Sequence, residues 1–407
     1  MFNKNFRKKR KEKMKKLFAL ILALVMALSL VACGEKAPAA DDGAATPDAG
    51  VSTDITEELK ATALYTKMTT AATEYDEIIS TGPNGETAVH ADTLALTEAE
   101  INQIRAGGYK AAICMHYGGN DWSTSQVAGL KDAFEILGIE VVAVTDADFS
   151  AEQQVADLET VMALKPDVIV SIPTDATATA DAYKRVSEAG IKLVFMDNVA
   201  AGMTAGKDYV SAVSADNYGN GIIAAELIGE ALNGEGTVGT VFYDTDFFVT
   251  NQRYDAFKAT MAEKFPGIEI VTEQGFLNEG TCDVQGDAIM TQYPDIDAIF
   301  AHWDIPCEGV LSSVRSAGKT TKLSTIDLGN NIALEIASGN VLGLGAQRPY
   351  DQGVAEAMCA AYSLLGKDAP AYVAVAALRV DQENILEAYE EVYYVPAPDW
   401  LVEAASK

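Results

Sequence analysis

The sequence predicts an α/β protein of two lobes, each a doubly wound, mostly parallel sheet. Three observations carry that expectation. Short apolar runs alternate with amphipathic helical stretches from Lys110 onward, the pattern of strands covered on both faces by crossover helices. The alternation continues for roughly 290 residues, more than one hydrophobic core comfortably serves. The residues that follow the apolar runs are repeatedly polar or aromatic, as at the carboxyl edge where open α/β sheets bind ligands.

Residues 1–32 read as a lipoprotein signal peptide. "RKKRKEKMKK" supplies a basic start and "LFALILALVMALSLVA" an apolar block of 16 residues. That is the layout of an export signal, and it falls short of the roughly 20 apolar residues of a spanning helix. The closing "LVAC" resembles the bacterial lipobox, which implies lipidation at Cys33 and anchorage on the outer face of the cytoplasmic membrane. Residues 33–53, rich in Ala, Gly, Pro and Asp, hold too little apolar surface to fold and suit a disordered tether. Residues 54–108 read as a helix-prone extension and residues 396–407 as a C-terminal tail.

The chain carries 30 basic and 59 acidic side chains, a net of −29. Nine of the basic and one of the acidic lie in residues 1–32, which leaves 21 against 58, a net of −37. That surface argues against nucleic acid or an anionic membrane as partner. After Cys33, Cys114, Cys282, Cys307 and Cys359 form no CxxC pair, and there are three histidines. No zinc-type spacing results, and neither a metal nor a cofactor is expected. Buried free thiols are the default for these cysteines, with a Cys282–Cys307 disulfide as the alternative.

The expected strands are "KAAICMH", "IEVVAV", "DVIVSI", "KLVFM", "YVSAV", "TVGTVF", "IEIV", "AIFA" and "KLSTI", with helical patterns such as "VAGLKDAFEILG" between them. After them come "HYGGNDW", "TDAD", "PTDATA", "DN", "DTDFF", "HWD" and "DLGNN". Asp and Asn also start helices, but the tryptophans in these loops are not explained that way. A small uncharged ligand rich in hydroxyls needs carboxylate acceptors, a forked Arg donor, amides that do both, and a flat apolar plane for its C–H face. The strand ends supply all four.

At these positions residues 109–395 resemble the periplasmic ribose-binding type of solute receptor, shared with ABC sugar importers and the effector domains of LacI-type repressors. "AAICMHYGGNDWSTSQVAG" aligns with the family's first strand, ligand loop and helix, and puts ligand contacts at Asn120 and Trp122. "FMDN" places the ligand aspartate at Asp197, with Asn198 where the family has Arg. "NQRYDAF" gives Arg253, "AHWD" puts Trp303 where an asparagine is usual, "STIDLGN" gives Asp327 and "GAQRPYDQG" gives Gln347. Phe276 falls near a family aromatic position, and His116 is set aside as a loop or core histidine. The exchanges at Asn198 and Trp303 remove a fork donor and add an apolar plane, so another monosaccharide, a deoxysugar or a cyclic polyol is expected rather than ribose.

The resemblance further implies a first lobe of 109–214 plus 348–378, a second lobe of 215–347 plus 379–395, and hinge crossings near Ser214, Arg348 and Leu378. Ligand held by both lobes would favour the closed state. A monomer delivering its ligand to an ABC permease follows. A sugar-sensing receptor subunit is the alternative. The absence of a basic helix-turn-helix, together with the export signal, excludes the repressor branch. Two enzyme readings compete weakly. "GNGIIA" at 219–224 with Asp244 has the spacing of a dinucleotide fingerprint. Asp197 and Asp327 would have to serve as the paired carboxylates of a glycosidase.

Overall fold

The computed structural model describes residues 54–407; the signal, Cys33 and the tether lie outside the described residues. Among the described residues, the first strands in chain order are β1 (Val89–His90), β2 (Lys110–Met115), β3 (Glu140–Asp146), β4 (Val168–Ser171), β5 (Lys192–Met196) and β6 (Ser211–Ala215). They are followed by β7 (Glu235–Tyr243), β8 (Gly267–Phe276), β9 (Ala298–Ala301), β10 (Lys322–Ile326), β11 (Gly343–Ala346), β12 (Tyr372–Val375) and β13 (Leu378–Asp381). One sheet has the order β1-β12-β6-β5-β4-β2-β3 and the other β13-β11-β10-β9-β7-β8. Every pairing is parallel except β13 against β11. Each sheet has an apolar core on either face. The interior strands are therefore apolar throughout, as "VIVS" in β4 and "AIFA" in β9, with every residue buried.

The chain passes between the sheets three times: from β6 into the helix Asn217–Ala231, from β11 into the helix Pro349–Leu364, and from β12 directly into β13. The helix Pro349–Leu364 packs with Asp121–Leu137 in the first core, whereas Asn217–Ala231 contributes Ala224, Ala225 and Ile228 to the second sheet. Gly345 in β11 is where that helix comes closest, since a Cβ there would lie 2.6 Å from the Asn220 carbonyl.

The fingerprint-like "GNGIIA" has a packing cause. A Cβ on Gly221 would meet the Arg253 carbonyl at 2.3 Å, so the residue lets two helices touch through their backbones. The Asp216 carboxylate caps this helix by accepting from Gly219 N at 3.0 Å, and it also accepts from Ser80 N at 2.9 Å and Ser80 Oγ at 2.7 Å. The donors that would cradle a phosphate are already engaged by the chain itself.

Residues 54–108 are less helical than expected. Helices Glu57–Lys60, Ala63–Thr69 and Glu98–Gly107 flank a long irregular stretch that adds β1 beside β12. Met68, Leu96, Ile101 and Ile104 enter the first core. The stretch then reaches the hinge through Ser80 and the second lobe through Thr81, whose carbonyl accepts from Gln252 Nε2 at 2.8 Å. Residues expected as a tail include the helix Asp399–Ala405, whose Leu401 is buried in the second core.

Candidate functional site

The strand ends of both sheets face one cavity of about 540 Å³, its mouth included. The lobes are closed across it. Asp121, at the start of its helix, accepts from Asn330 N at 2.8 Å and from Asn330 Nδ2 at 2.9 Å, and the His116 and Phe247 rings stack with centroids 6.1 Å apart.

Asp197 and Asp327 end β5 and β10 in left-handed backbone, with φ of 52° and 69°, a conformation that non-glycine residues adopt only at a cost. Each turn is pinned by the neighbouring strand, with Asp197 N donating to the Val213 carbonyl at 2.8 Å and Asp327 N to that of Gly345 at 3.2 Å. Both carboxylates line the cavity. A continuous hydrogen-bonded chain joins them across the hinge. Ser214 Oγ donates to Asp197 Oδ1 at 2.6 Å and accepts from Asn217 Nδ2 at 2.9 Å. Asn217 Oδ1 accepts from Arg253 Nε at 2.8 Å. Arg253 Nη1 reaches Asp327 Oδ2 at 3.4 Å, and Gln347 Nε2 donates to Asp327 Oδ1 at 2.7 Å.

Burial dominates the electrostatics. It pushes the Asp197 carboxyl up to about 6, against the pull of Ser214 and Arg253. The carboxyls of Asp304 and Asp327 are raised by burial too, the first well above its usual range. His116 is pushed down to about 3 by burial and is neutral.

Of the residues anticipated from sequence, Asn120, Trp122, Asp197, Arg253, Trp303, Asp327 and Gln347 come together in this wall. Asn120 caps the helix Asp121–Leu137, accepting from Ser123 N at 2.7 Å, and its amide donates to the Tyr117 hydroxyl. Trp303 Nε1 donates to Glu279 Oε2 at 2.7 Å, and its ring lines the cavity. Asn198 is not in the wall; it is buried with both amide atoms lacking a hydrogen-bond partner. Phe276 packs behind Trp303 at 5.1 Å rather than lining the space. His116, expected as a loop or core histidine, is in the wall, and so are Tyr117, Phe149, Tyr243, Phe247 and Asp304. For all but Phe149 and Tyr243, the last residue of β7, the signal was present in the loops "HYGGNDW", "DTDFF" and "HWD". Cys282 and Cys307 are free and buried, as are Cys114 and Cys359. Among the described residues no cluster with metal-ligand character occurs.

Comparison with known proteins agrees with this fold. A family model described as a periplasmic binding protein domain matches residues 111–368. The ribose import binding protein of Bacillus subtilis is 25% identical over 231 residues, 56% of this chain and 73% of that protein. Among solved structures, an ABC-transporter solute-binding protein from Agrobacterium vitis bound with α-D-tagatopyranose superposes with a TM-score of 0.65 at 24% identity, covering 71% of this chain and 100% of that one. A second from the same organism, with bound allitol, gives 0.61 at 25% identity, covering 70% of this chain and 98% of that one.

Proposed function

Because the chain belongs to the periplasmic binding protein family, we propose that it is the solute-binding subunit of an ABC importer, that its ligand is a monosaccharide or related polyol, and that it holds this ligand between its lobes. One observation carries the reading: the hydrogen-bonded chain from Asp197 through Ser214, Asn217 and Arg253 to Asp327 and Gln347 crosses the hinge beneath an aromatic-walled cavity. Hydroxyls that donate to Asp197 in one lobe and Asp327 in the other are fully bonded only when the lobes are shut. That differential is what shifts a hinge equilibrium. The rings supply the plane for a sugar's C–H face.

In this reading Asn120, Trp122 and Asp197 act from a first lobe of 109–214 plus 348–378. Arg253, Trp303 and Asp327 act from a second lobe of 215–347 plus 379–395, with Gln347 beside the hinge. Residues 1–32 export the chain, and lipidated Cys33 holds it at the membrane while it passes ligand, as a monomer, to a permease. The relatives point the same way: their names and bound molecules are sugars or polyols.

A thermal-shift panel of pentoses, hexoses, deoxysugars, inositols and linear polyols tests the class, with NAD and nucleosides as controls. A rise in melting temperature with one or a few sugars, lost in Asp197→Ala and Arg253→Ala, is the expected result. A shift with NAD or a nucleoside and none with any sugar or polyol would overturn it.

A further inference from the structure

The cavity wall is unbalanced in charge. Three carboxyls, Asp197, Asp304 and Asp327, face it, and Arg253 is the one cation among the lining residues. Arg253 is spent on Asp327 and Asn217. Asp304 accepts one hydrogen bond, from Ile305 N to its Oδ1 at 2.9 Å. Among the described residues, nothing donates to Asp304 Oδ2 or Asp197 Oδ2. A second feature points to a donor-rich occupant: Gln347 Oε1, on a side chain 3% exposed, has no partner. Carboxylates withdrawn from water without a counter-charge are costly. In the closed lobes nothing from the protein supplies the missing cation.

The remaining wall suits a cation as well. Tyr117, Trp122, Phe149, Tyr243, Phe247 and Trp303 border the same space. Aromatic faces attract a desolvated ammonium through their quadrupole. A neutral polyol would use the planes but supply no counter-charge, so that the buried Asp304 carboxyl, raised well above its usual range, would keep its proton instead of pairing as an ion.

We propose that the ligand is a polyol or sugar bearing an ammonium group, with the nitrogen held among Asp197, Asp304 and the aromatic faces and the hydroxyls taken by Arg253, Asp327 and Gln347. This rests on the sugar-binding reading and narrows it. Asp304 then becomes a specificity residue that separates an amine from the hydroxyl it replaces.

Isothermal titration of the full chain near neutral pH, with matched pairs of ligands, tests this. The pairs are glucose and glucosamine, galactose and galactosamine, myo-inositol and its monoamino-deoxy analogue, and ribitol and 1-amino-1-deoxyribitol. The N-acetylated amines serve as neutral controls. At least one amine should bind about ten-fold or more tighter than its hydroxyl parent, and acetylation should abolish the gain. Asp304→Asn should erase most of that preference. Should Asp304→Asn fail to fold, the wild-type comparison of amine, parent and acetylated form decides between the two ligand classes without any variant. Neutral members binding as well as or better than their amines would overturn the inference and leave sugar binding intact. If no member of any pair binds, both readings fall.

Discussion

Replacing Asp216 by Ala should unfasten the N-terminal extension from the hinge. The carboxylate is 2% exposed and accepts from Gly219 N, Ser80 N, Ser80 Oγ and Ile79 N at 2.7–3.1 Å. Loss of the helix cap costs about 1 kcal/mol. Ser80 is buried at 4% exposure, so each of its two stranded donors costs about 1–3 kcal/mol. Ile79 is exposed at 49%, and its N–H can turn to water at little cost. The sum is about 3–5 kcal/mol once some relaxation is allowed. Ser80→Ala removes only the hydroxyl, which also accepts from Tyr218 N at 2.9 Å, and should cost about 1–2 kcal/mol. Equilibrium urea unfolding followed by both fluorescence and far-ultraviolet circular dichroism measures these values. Coincident transitions establish the two-state condition. The reasoning is refuted if Asp216→Ala stays within about 1 kcal/mol of wild type, because a cap alone would account for that.

Three further outcomes are expected. Asp121→Ala removes the latch to Asn330 and should weaken ligand binding about five- to thirty-fold by destabilising the closed state; an unchanged Kd and an unchanged scattering radius would contradict it. Asp197 has its folded value raised by burial to about 6 from an ordinary 3.8, so between those pH values the folded chain keeps a proton that the unfolded chain has released. The stability of the ligand-free protein should therefore fall by about 3 kcal/mol as pH rises through that window and level off above it. Asp197→Asn should remove this component, and a wild-type-minus-variant difference that is flat across the window argues against it. Gly221→Ala drives a methyl into the Arg253 carbonyl at 2.3 Å and should cost about 1–3 kcal/mol; a neutral effect in urea unfolding would show that the two helices are free to separate.

The fold was legible where burial writes a continuous apolar run, as in β4, β5 and β9. It was not legible in β11, whose "GLGA" contains no β-branched residue because the Asn217–Ala231 helix lies against it. β1 spans only Val89–His90, too short for any period to show. In the site, Asp197 and Asp327 could be read because a charge after a buried strand needs a reason. Asn198 could not be placed: its predecessor turns through left-handed backbone, so adjacency in sequence does not put both side chains in one wall. Phe149 was lost for a similar reason. At φ 56° it enters the cavity from the loop after β3, and nothing in "TDADFS" reports that turn. Asp304 stood beside Trp303 in the same "HWD" motif, yet a helix-start aspartate has an ordinary capping explanation that hides a second use.

The four free thiols among the described residues give each lobe its own clock. Cys114 and Cys359 lie in the cores of the first sheet and Cys282 and Cys307 in the core of the second. Burial pushes Cys114, Cys282 and Cys359 up to about 12 and Cys307 higher still. A native molecule therefore offers an alkylating reagent almost no thiolate at these sites, and each label records a visit to an opened state. Mass spectra taken over time would show whether the labels arrive in pairs, one lobe before the other, or all together. Ligand that bridges the lobes should slow both pairs by the same factor, which turns four silent side chains into a count of how tightly binding couples the halves.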